Sequence, residues 1–115
     1  MTRNKPSAKE AIYRRALDSI SRIEAEMKRI GYWSAEPLPQ AAYEFHQAFA
    51  QDTMTFVQWL QFILVPRVHQ IIEQRGEFPT SSMVGAQAVR EFDGDTDAAT
   101  LVQLLIEFDS LFRGK

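Results

Sequence analysis

Hydrophobic residues recur at helical spacing in three separate segments of the chain. The first segment places its apolar positions three or four residues apart, which puts them on one side of a helix: Ile12, Ala16, Ile20, Ile23, Met27 and Ile30. Ser7 and Glu10 have the spacing of a capping box at the start of this segment. Gly31 follows the last apolar position and can adopt the left-handed conformation that ends many helices. The pattern therefore predicts a long amphipathic first helix.

Two further helices are predicted by the same signals. Thr55 and Gln58 form a second capping box, and the helix they open is predicted to run to Arg75 and stop at Gly76. The last helix is predicted to begin at Asp95 or Thr96, with an apolar stripe of Leu101, Leu104, Leu105, Phe108, Leu111 and Phe112. Short helices are predicted within residues 40–49 and 83–91. No alternating strand pattern is present, so the prediction is an all-α fold, a compact bundle of three principal helices plus one or two short ones.

The second helix has a proline near the middle of its most apolar stretch, FVQWLQFILVPRVHQII. Apolar residues surround the helix before Pro66, except at Gln58 and Gln61, whereas after it they occupy one side only. Proline has no amide to donate to the carbonyl of Phe62, so a kink is expected at Pro66. The first half is predicted to be a core helix and the second an amphipathic surface helix.

Composition narrows the classes of function. A chain of 115 residues predicts one domain, residues 1–115, and its formal charge of -2 argues against a general nucleic-acid binder. The absence of cysteine excludes disulfides, thiolate metal sites and cysteine nucleophiles. The first ten residues lack the apolar core of a secretory signal, and the apolar stretch around Pro66 is too interrupted to cross a membrane. A cytoplasmic location is expected.

A longer sequence pattern spans the second helix. DTMTFVQWLQFILVPR, residues 52–67, preceded by IGYW at residues 30–33, resembles the YqcC-like family of small bacterial proteins. The matching motif consists of Asp52, Thr53, Phe56, Gln58, Trp59, Leu60, Gln61, Pro66 and Arg67. The resemblance implies an all-helical fold and supplies no catalytic residues. It also implies a pathway shared with a tRNA pseudouridine synthase, beside which such proteins are often encoded. This chain departs from the family pattern at Ala48-Phe49, where Pro-Phe is usual, and in residues 81–92.

Basic residues are concentrated in the first thirty positions, which hold eight of the thirteen Lys and Arg residues and four of the fifteen acids. Arg15, Arg22 and Arg29 lie seven residues apart and would form a basic ridge that could face phosphates. Asp18 and Glu26 lie between them at ion-pair spacing, so a solvated ladder of intrahelical ion pairs is the favoured interpretation.

The sequence offers only incomplete metal-binding motifs. Asp93, Asp95 and Asp97 match the first half of a calcium loop, but the glycine and glutamate that such a loop needs are absent. His69 and Glu73 lie one helical turn apart, and two ligands do not make a site. The prediction is that no metal, cofactor or catalytic residue is present, so that the protein is not an enzyme.

Aromatic residues cluster around the connector after the first helix. Tyr32, Trp33, Tyr43 and Phe45 are candidate partner-binding residues, because large aromatics in a connector are harder to bury than those on a helix. We therefore predict a non-enzymatic interaction protein or accessory to an RNA-modifying enzyme. Two alternatives are a small molecule bound in an interhelical pocket near Trp59 and Phe62 and weak RNA binding by the first helix. The sequence does not indicate the oligomeric state.

Overall fold

The computed structural model describes residues 8–113, and every regular element within that range is helical. The chain forms, in order, α1 (Ala8–Arg29), α2 (Phe56–Trp59), a π-helical segment (Leu60–Leu64), α3 (Val65–Gln74), α4 (Val84–Glu91) and α5 (Ala99–Ser110). Short 3-10 turns occur at Gln40–Tyr43, Ala48–Ala50 and Thr96–Ala98. The predicted all-α fold is confirmed. The helix expected within residues 40–49 is instead two separate turns.

The core lies where α1 packs against both α3 and α5, with α4 packed on α5. The largest side chains that are wholly removed from solvent come from α1, the π segment and α5: Ile20, Ile23, Met27, Leu60, Leu101 and Leu105. Their burial supplies the main driving force for folding, since each such side chain contributes about 1.5–3 kcal/mol. The apolar stripes predicted for the first and last helices thus meet each other in the core.

Two helices end in the same hydrogen-bonded motif. Gly31 has φ 79°, and the Tyr32 amide donates to the Met27 carbonyl over 2.7 Å, which closes α1 as predicted. At the end of α3 the left-handed residue is Arg75, with φ 54°, while the Gly76 amide donates to the Ile71 carbonyl over 2.9 Å. The predicted stop at Gly76 is therefore wrong by one residue.

The side chain of Arg75 contacts α1. Its Nε lies 3.1 Å from a carboxylate oxygen of Glu10, and its guanidinium lies 5.2 Å from the centre of the Tyr13 ring. The Tyr13 hydroxyl in turn donates to the Gly76 carbonyl. The capping box predicted for Ser7 and Glu10 involves a residue outside the described range.

A kink was predicted at Pro66, and the structure has a π turn immediately before the proline. The Val65 amide donates to the Leu60 carbonyl, five residues back, and the following α-helical segment begins with Val65 and Pro66. A π turn widens the helix, so the proline ring avoids the carbonyl with which it would otherwise clash. α2, the π segment and α3 thereby continue as one helical run.

The start of α5 differs from the prediction. Neither Asp95 nor Thr96 caps it through a side chain, since a 3-10 turn comes first and Ala98 occupies the capping position. The Asp95 carboxylate instead accepts a hydrogen bond from the Tyr32 hydroxyl. A tertiary contact has thus replaced the local cap that the sequence indicated.

Within residues 8–113, no helix is both long and apolar enough to cross a membrane.

Candidate binding sites and the family

The polar residues of the DTM-to-PR motif hold the connector to the second helical run. Asp52 accepts hydrogen bonds from the His46 amide at 2.9 Å and the Gln47 amide at 3.4 Å. The hydrogen bond from the His46 amide is the main reason why the pKa of Asp52 lies below its usual value. The Thr53 hydroxyl donates to the Ala42 carbonyl over 2.6 Å. Both side chains fix the fold of the segment that precedes α2.

The two glutamines of the motif satisfy backbone groups. Thr55 and Gln58 form the predicted capping box, with bonds of 2.9 and 3.1 Å. Gln61 is buried, and its amide binds both the N–H and the C=O of Ser34, each over 2.8 Å. A single side chain thus pairs with the connector backbone as a neighbouring strand would. Gln61 was predicted only to lie in a polar wedge of the helix.

The aromatic residues of the motif form a cluster against the connector. Phe56 and Trp59 stack with ring centres 5.9 Å apart, and Phe49 meets the Trp59 ring edge-on at 5.0 Å. Phe49 and Ala50 both have positive φ, 56° and 53°, which is uncommon for residues other than glycine. The ring contacts of Phe49 help to hold this unfavourable backbone in place.

Arg67 is the motif residue to which no such structural role can be assigned. It is exposed, and no ion pair or hydrogen bond joins its guanidinium to another residue between 8 and 113. It lies at the edge of an apolar cavity of about 220 Å³ between α3, α5 and the loop that precedes α4. The pocket predicted near Trp59 and Phe62 thus exists beside Trp59, while Phe62 is not among its lining residues.

The four connector aromatics predicted to bind a partner differ in their exposure. Tyr32 is half-buried against Phe92 and donates to Asp95, which raises the pKa of Tyr32 because the neutral phenol is the donor. Trp33 is half-buried, with the Lys28 ammonium 5.2 Å from its ring centre. Phe45 packs on the core, and Tyr43 is exposed at 41%. These residues do not form one continuous exposed surface.

A more exposed apolar surface, which was not predicted from the sequence, lies on the outer side of α4 and α5. Val89 is 52% exposed and Ile106 37% exposed. Val89 also shares a shallow depression with Ala99 and Val102. We call these four residues the α4–α5 face. The signal was available, because α5 has apolar residues outside its core stripe, which is typical of a helix that is covered on more than one side.

The ladder of ion pairs predicted along the basic ridge of α1 is only partly present. Arg29 is bound to Glu26 by two hydrogen bonds of 2.8 and 2.6 Å, which lower the pKa of Glu26. Arg22 lies 3.8 Å from Asp18. The Asp18–Arg22 and Glu26–Arg29 pairs are the two contacts of the predicted ladder that are made among residues 8–113. Arg15 and Arg22 share a groove of about 560 Å³ with Ala11, Arg14, Asp18, Ser19, Glu107 and Leu111.

The candidate metal ligands do not converge. Among residues 8–113, no three side chains of His, Cys, Asp or Glu are grouped so that they could hold a metal ion. Asp95 binds Tyr32, and Asp93 is exposed beside the same depression as Val89. His69 and Glu73 remain a pair on α3, far short of a ligand set.

The sequence matches a family model described as DUF446, tRNA pseudouridine synthase C, over residues 15–111. The chain belongs to this family, in which the YqcC-like proteins fall. It is 27% identical to protein YqcC of Escherichia coli K12 over 95 residues, which cover 81% of this chain and 86% of that protein. An uncharacterized protein of Haemophilus influenzae is 23% identical over 77 residues, 64% of this chain and 73% of that one.

A third relative is much longer than this chain. The tRNA pseudouridine synthase C of Pectobacterium carotovorum subsp. carotovorum is 29% identical over 63 residues, which are 55% of this chain but 17% of that protein. The solution NMR structure of E. coli YqcC superimposes with a TM-score of 0.79 at 24% identity, covering 88% of this chain and 87% of that one. The all-helical fold is therefore shared with YqcC.

Proposed function

We propose that this YqcC-like protein is a non-enzymatic accessory subunit that binds a tRNA pseudouridine synthase. The observation that carries the proposal is the match between 63 residues of this chain and a small part, 17%, of a much longer protein named tRNA pseudouridine synthase C. A segment that is joined to an enzyme in one chain acts beside that enzyme. A separate chain of the same family can supply the same contact by binding.

The use of the polar motif residues supports a role without catalysis. Asp52, Thr53, Gln58 and Gln61 all bind backbone groups of the connector or of the helix start. Groups committed to fixed structural bonds are not available as acids, bases or nucleophiles, which must reach the reacting atoms. These four motif residues therefore serve to build the domain.

The α4–α5 face is the surface that best fits a protein partner. Val89, Val102 and Ile106 provide an apolar centre, and Asp93 and Asp95 line one end of the depression. Apolar centres with a polar border are typical of protein interfaces. The acidic border favours a partner with a basic surface, as an enzyme that binds tRNA must have, and it disfavours direct contact with RNA phosphates.

The test is to mix the purified protein with the tRNA pseudouridine synthase C of the same cell and to measure complex formation by light scattering after size exclusion. We expect a complex that survives RNase treatment. Val89→Glu and Ile106→Glu should weaken it at least tenfold, since each places a charge in the apolar centre. Leu17→Glu is the matched control, because Leu17 is a similarly exposed apolar residue, at 42%, on α1.

The outcomes separate protein binding from RNA binding. No complex with the enzyme, or equal weakening by Leu17→Glu, would contradict the proposal. A complex that RNase destroys and that requires Arg14, Arg15 and Arg22 would instead indicate RNA binding through the α1 groove.

A further inference from the structure

The apolar cavity beside Arg67 is distinct from the α4–α5 face and is not explained by the proposed function. It is lined by fourteen residues of α2, the π segment, α3, α5, the connector, the loop that precedes α4 and the first residue of α4, among them Phe49, Trp59, Arg67, Phe78, Phe108 and Phe112. Five of these side chains are aromatic. No acidic side chain is among them.

The size of the cavity limits what it can hold. An engineered apolar cavity of about 150 Å³ binds one benzene molecule. This cavity, at about 220 Å³, is larger by about half. It therefore has room for one six-membered ring or a branched chain of similar size, together with a short substituent.

The charge at the cavity edge determines what that substituent must be. The Arg67 guanidinium has no ion pair within the described part of the chain, and an arginine beside apolar surface binds carboxylates through paired hydrogen bonds. Asp109 is the nearest buried acid to the lining loop, but its oxygens already accept from Ser82, Val84 and Gly85. The Arg67 guanidinium is thus available to pair with an anion from outside the chain.

The walls of the cavity are held firmly, while one side is adjustable. Phe49 keeps its left-handed backbone and packs edge-on against Trp59. Phe78 and Phe112 pack together with tilted rings whose centres lie 4.8 Å apart. Met83, in contrast, is 64% exposed, and its flexible thioether can move over an occupant. A preformed wall with a movable edge is typical of small-molecule sites.

We propose that this cavity binds a small carboxylic acid, with a single ring or short branched apolar group inside and the carboxylate at Arg67. The exposed Ser81 hydroxyl on the same lining can donate a further hydrogen bond to that carboxylate. The proposal stands independently of synthase binding, because it concerns the isolated chain.

The test measures binding of 3-(4-fluorophenyl)propanoate and of its neutral amide to the purified protein by ¹⁹F NMR. We expect the acid to bind at least tenfold more tightly than the amide, since a charge-assisted pair at Arg67 is available only to the acid. Arg67→Gln should lower the affinity of the acid to about that of the amide. Arg90→Gln, a change at an exposed arginine on α4 away from the cavity, should alter neither affinity.

A second variant tests whether the probes bind inside the cavity. Ile71→Phe adds bulk to a half-buried lining residue and should weaken both probes at least tenfold. Equal affinity of acid and amide for the unmodified protein would overturn the proposal, as would no binding of either probe. Full binding by Ile71→Phe, with its fold verified by circular dichroism, would also overturn it, because the probes would then occupy another site.

Discussion

Two regions of this protein are each fixed by one buried polar side chain from a helix, and they differ in how much else supports them. In the connector, Gln61 binds the backbone of Ser34, and the same segment has further hydrogen bonds accepted by Asp52, donated by Thr53 and made by the Thr55 cap. In the α4–α5 corner, Asp109 alone accepts hydrogen bonds from the Ser82 hydroxyl and from the amides at the start of α4.

The two regions differ in the charge of the buried side chain and in the number of other hydrogen bonds that support it. A neutral amide exchanges one donor and one acceptor with an exposed backbone, which water can partly replace. A buried carboxylate that accepts helix N-terminal amides interacts with the positive end of the helix dipole, and no water-exposed alternative exists for those amides. The corner is therefore expected to be more sensitive to single substitutions than the connector.

The largest effect is expected for Asp109→Ala. Asp109 is 7% exposed, and its removal leaves the Val84 and Gly85 amides and the Ser82 hydroxyl without their acceptor. We expect a loss of about 3 kcal/mol in the free energy of unfolding, measured by urea denaturation. Glu107→Ala, at an exposed position on the same helix, is the control and should change it by less than about 0.5 kcal/mol. A loss below 1 kcal/mol for Asp109→Ala would remove the contrast between the regions.

Gly85→Ala tests the same corner through packing. A β-carbon at residue 85 would lie 2.7 Å from the Cα of Ile106 and 2.9 Å from Asp109 Oδ2, so α4 and α5 would have to separate. The expected loss is about 2 kcal/mol, from overpacking against backbone. Gly76→Ala is the matched control, since its nearest neighbour would be 3.8 Å away and it should be close to neutral. A neutral result at both glycines, by thermal or urea unfolding, would indicate a loosely packed corner.

Gln61→Leu should be milder, with a loss of about 1.5 kcal/mol, since it removes two hydrogen bonds to Ser34 while the exposed backbone regains water. Amide exchange should show faster exchange at residue 34, with little change in α4. Gln70→Leu, on the exposed side of α3, is the control. Destabilisation of α4 as large as that of the connector would contradict the independence of the two regions.

Thr55→Ala removes the capping box at the start of α2, where Thr55 accepts from the Gln58 amide over 3.1 Å. The expected loss is about 1 kcal/mol, the typical value for a helix N-cap. Thr55→Ser retains the hydroxyl and should retain most of the stability in the same denaturation experiment. A loss equal to that of Thr55→Ala would assign the effect to the lost methyl group.

The smallest expected effect is the pH dependence contributed by Asp52. Hydrogen bonds from the connector amides hold the pKa of Asp52 below its usual value, so the folded state binds this proton less readily than the unfolded state. Its contribution is present above the unfolded value, near pH 4, and is lost as the pH falls through the folded pKa. Asp52→Asn should therefore flatten the acid side of the stability profile. An unchanged slope between pH 5 and about 2 would show that Asp52 does not contribute.

Structural features that depend only on neighbouring residues could be predicted from the sequence. The apolar stripe of α1, the glycine that ends it and the Thr55–Gln58 box are all local, and the structure has them as predicted. A kink was predicted at Pro66, whereas the π turn that precedes the proline was not. Prediction failed where a side chain has a distant partner. Asp95 was assigned to a helix cap but binds Tyr32, and Arg75, whose side chain contacts Glu10 on α1, has the left-handed backbone where a glycine was expected.

The candidate sites show the same difference between what local sequence predicts and what distant contacts decide. The YqcC-like motif was recognised from the sequence, yet the role of each residue in it was not. Asp52 and Gln61 proved to be scaffold residues once their backbone partners were known, whereas Arg67 lines a cavity and has no hydrogen-bond or ion-pair partner among residues 8–113.

The sequence by itself determined the helical class, the main helix positions and the family, because hydrophobic periodicity and capping act over a few residues. Only the tertiary structure decided that Asp109 caps α4 from α5, that an apolar face remains on α4 and α5, and that a cavity lies beside Arg67. Those features depend on contacts between residues more than twenty positions apart in the chain, or on the shape of the space between helices. No local pattern of residues specifies either.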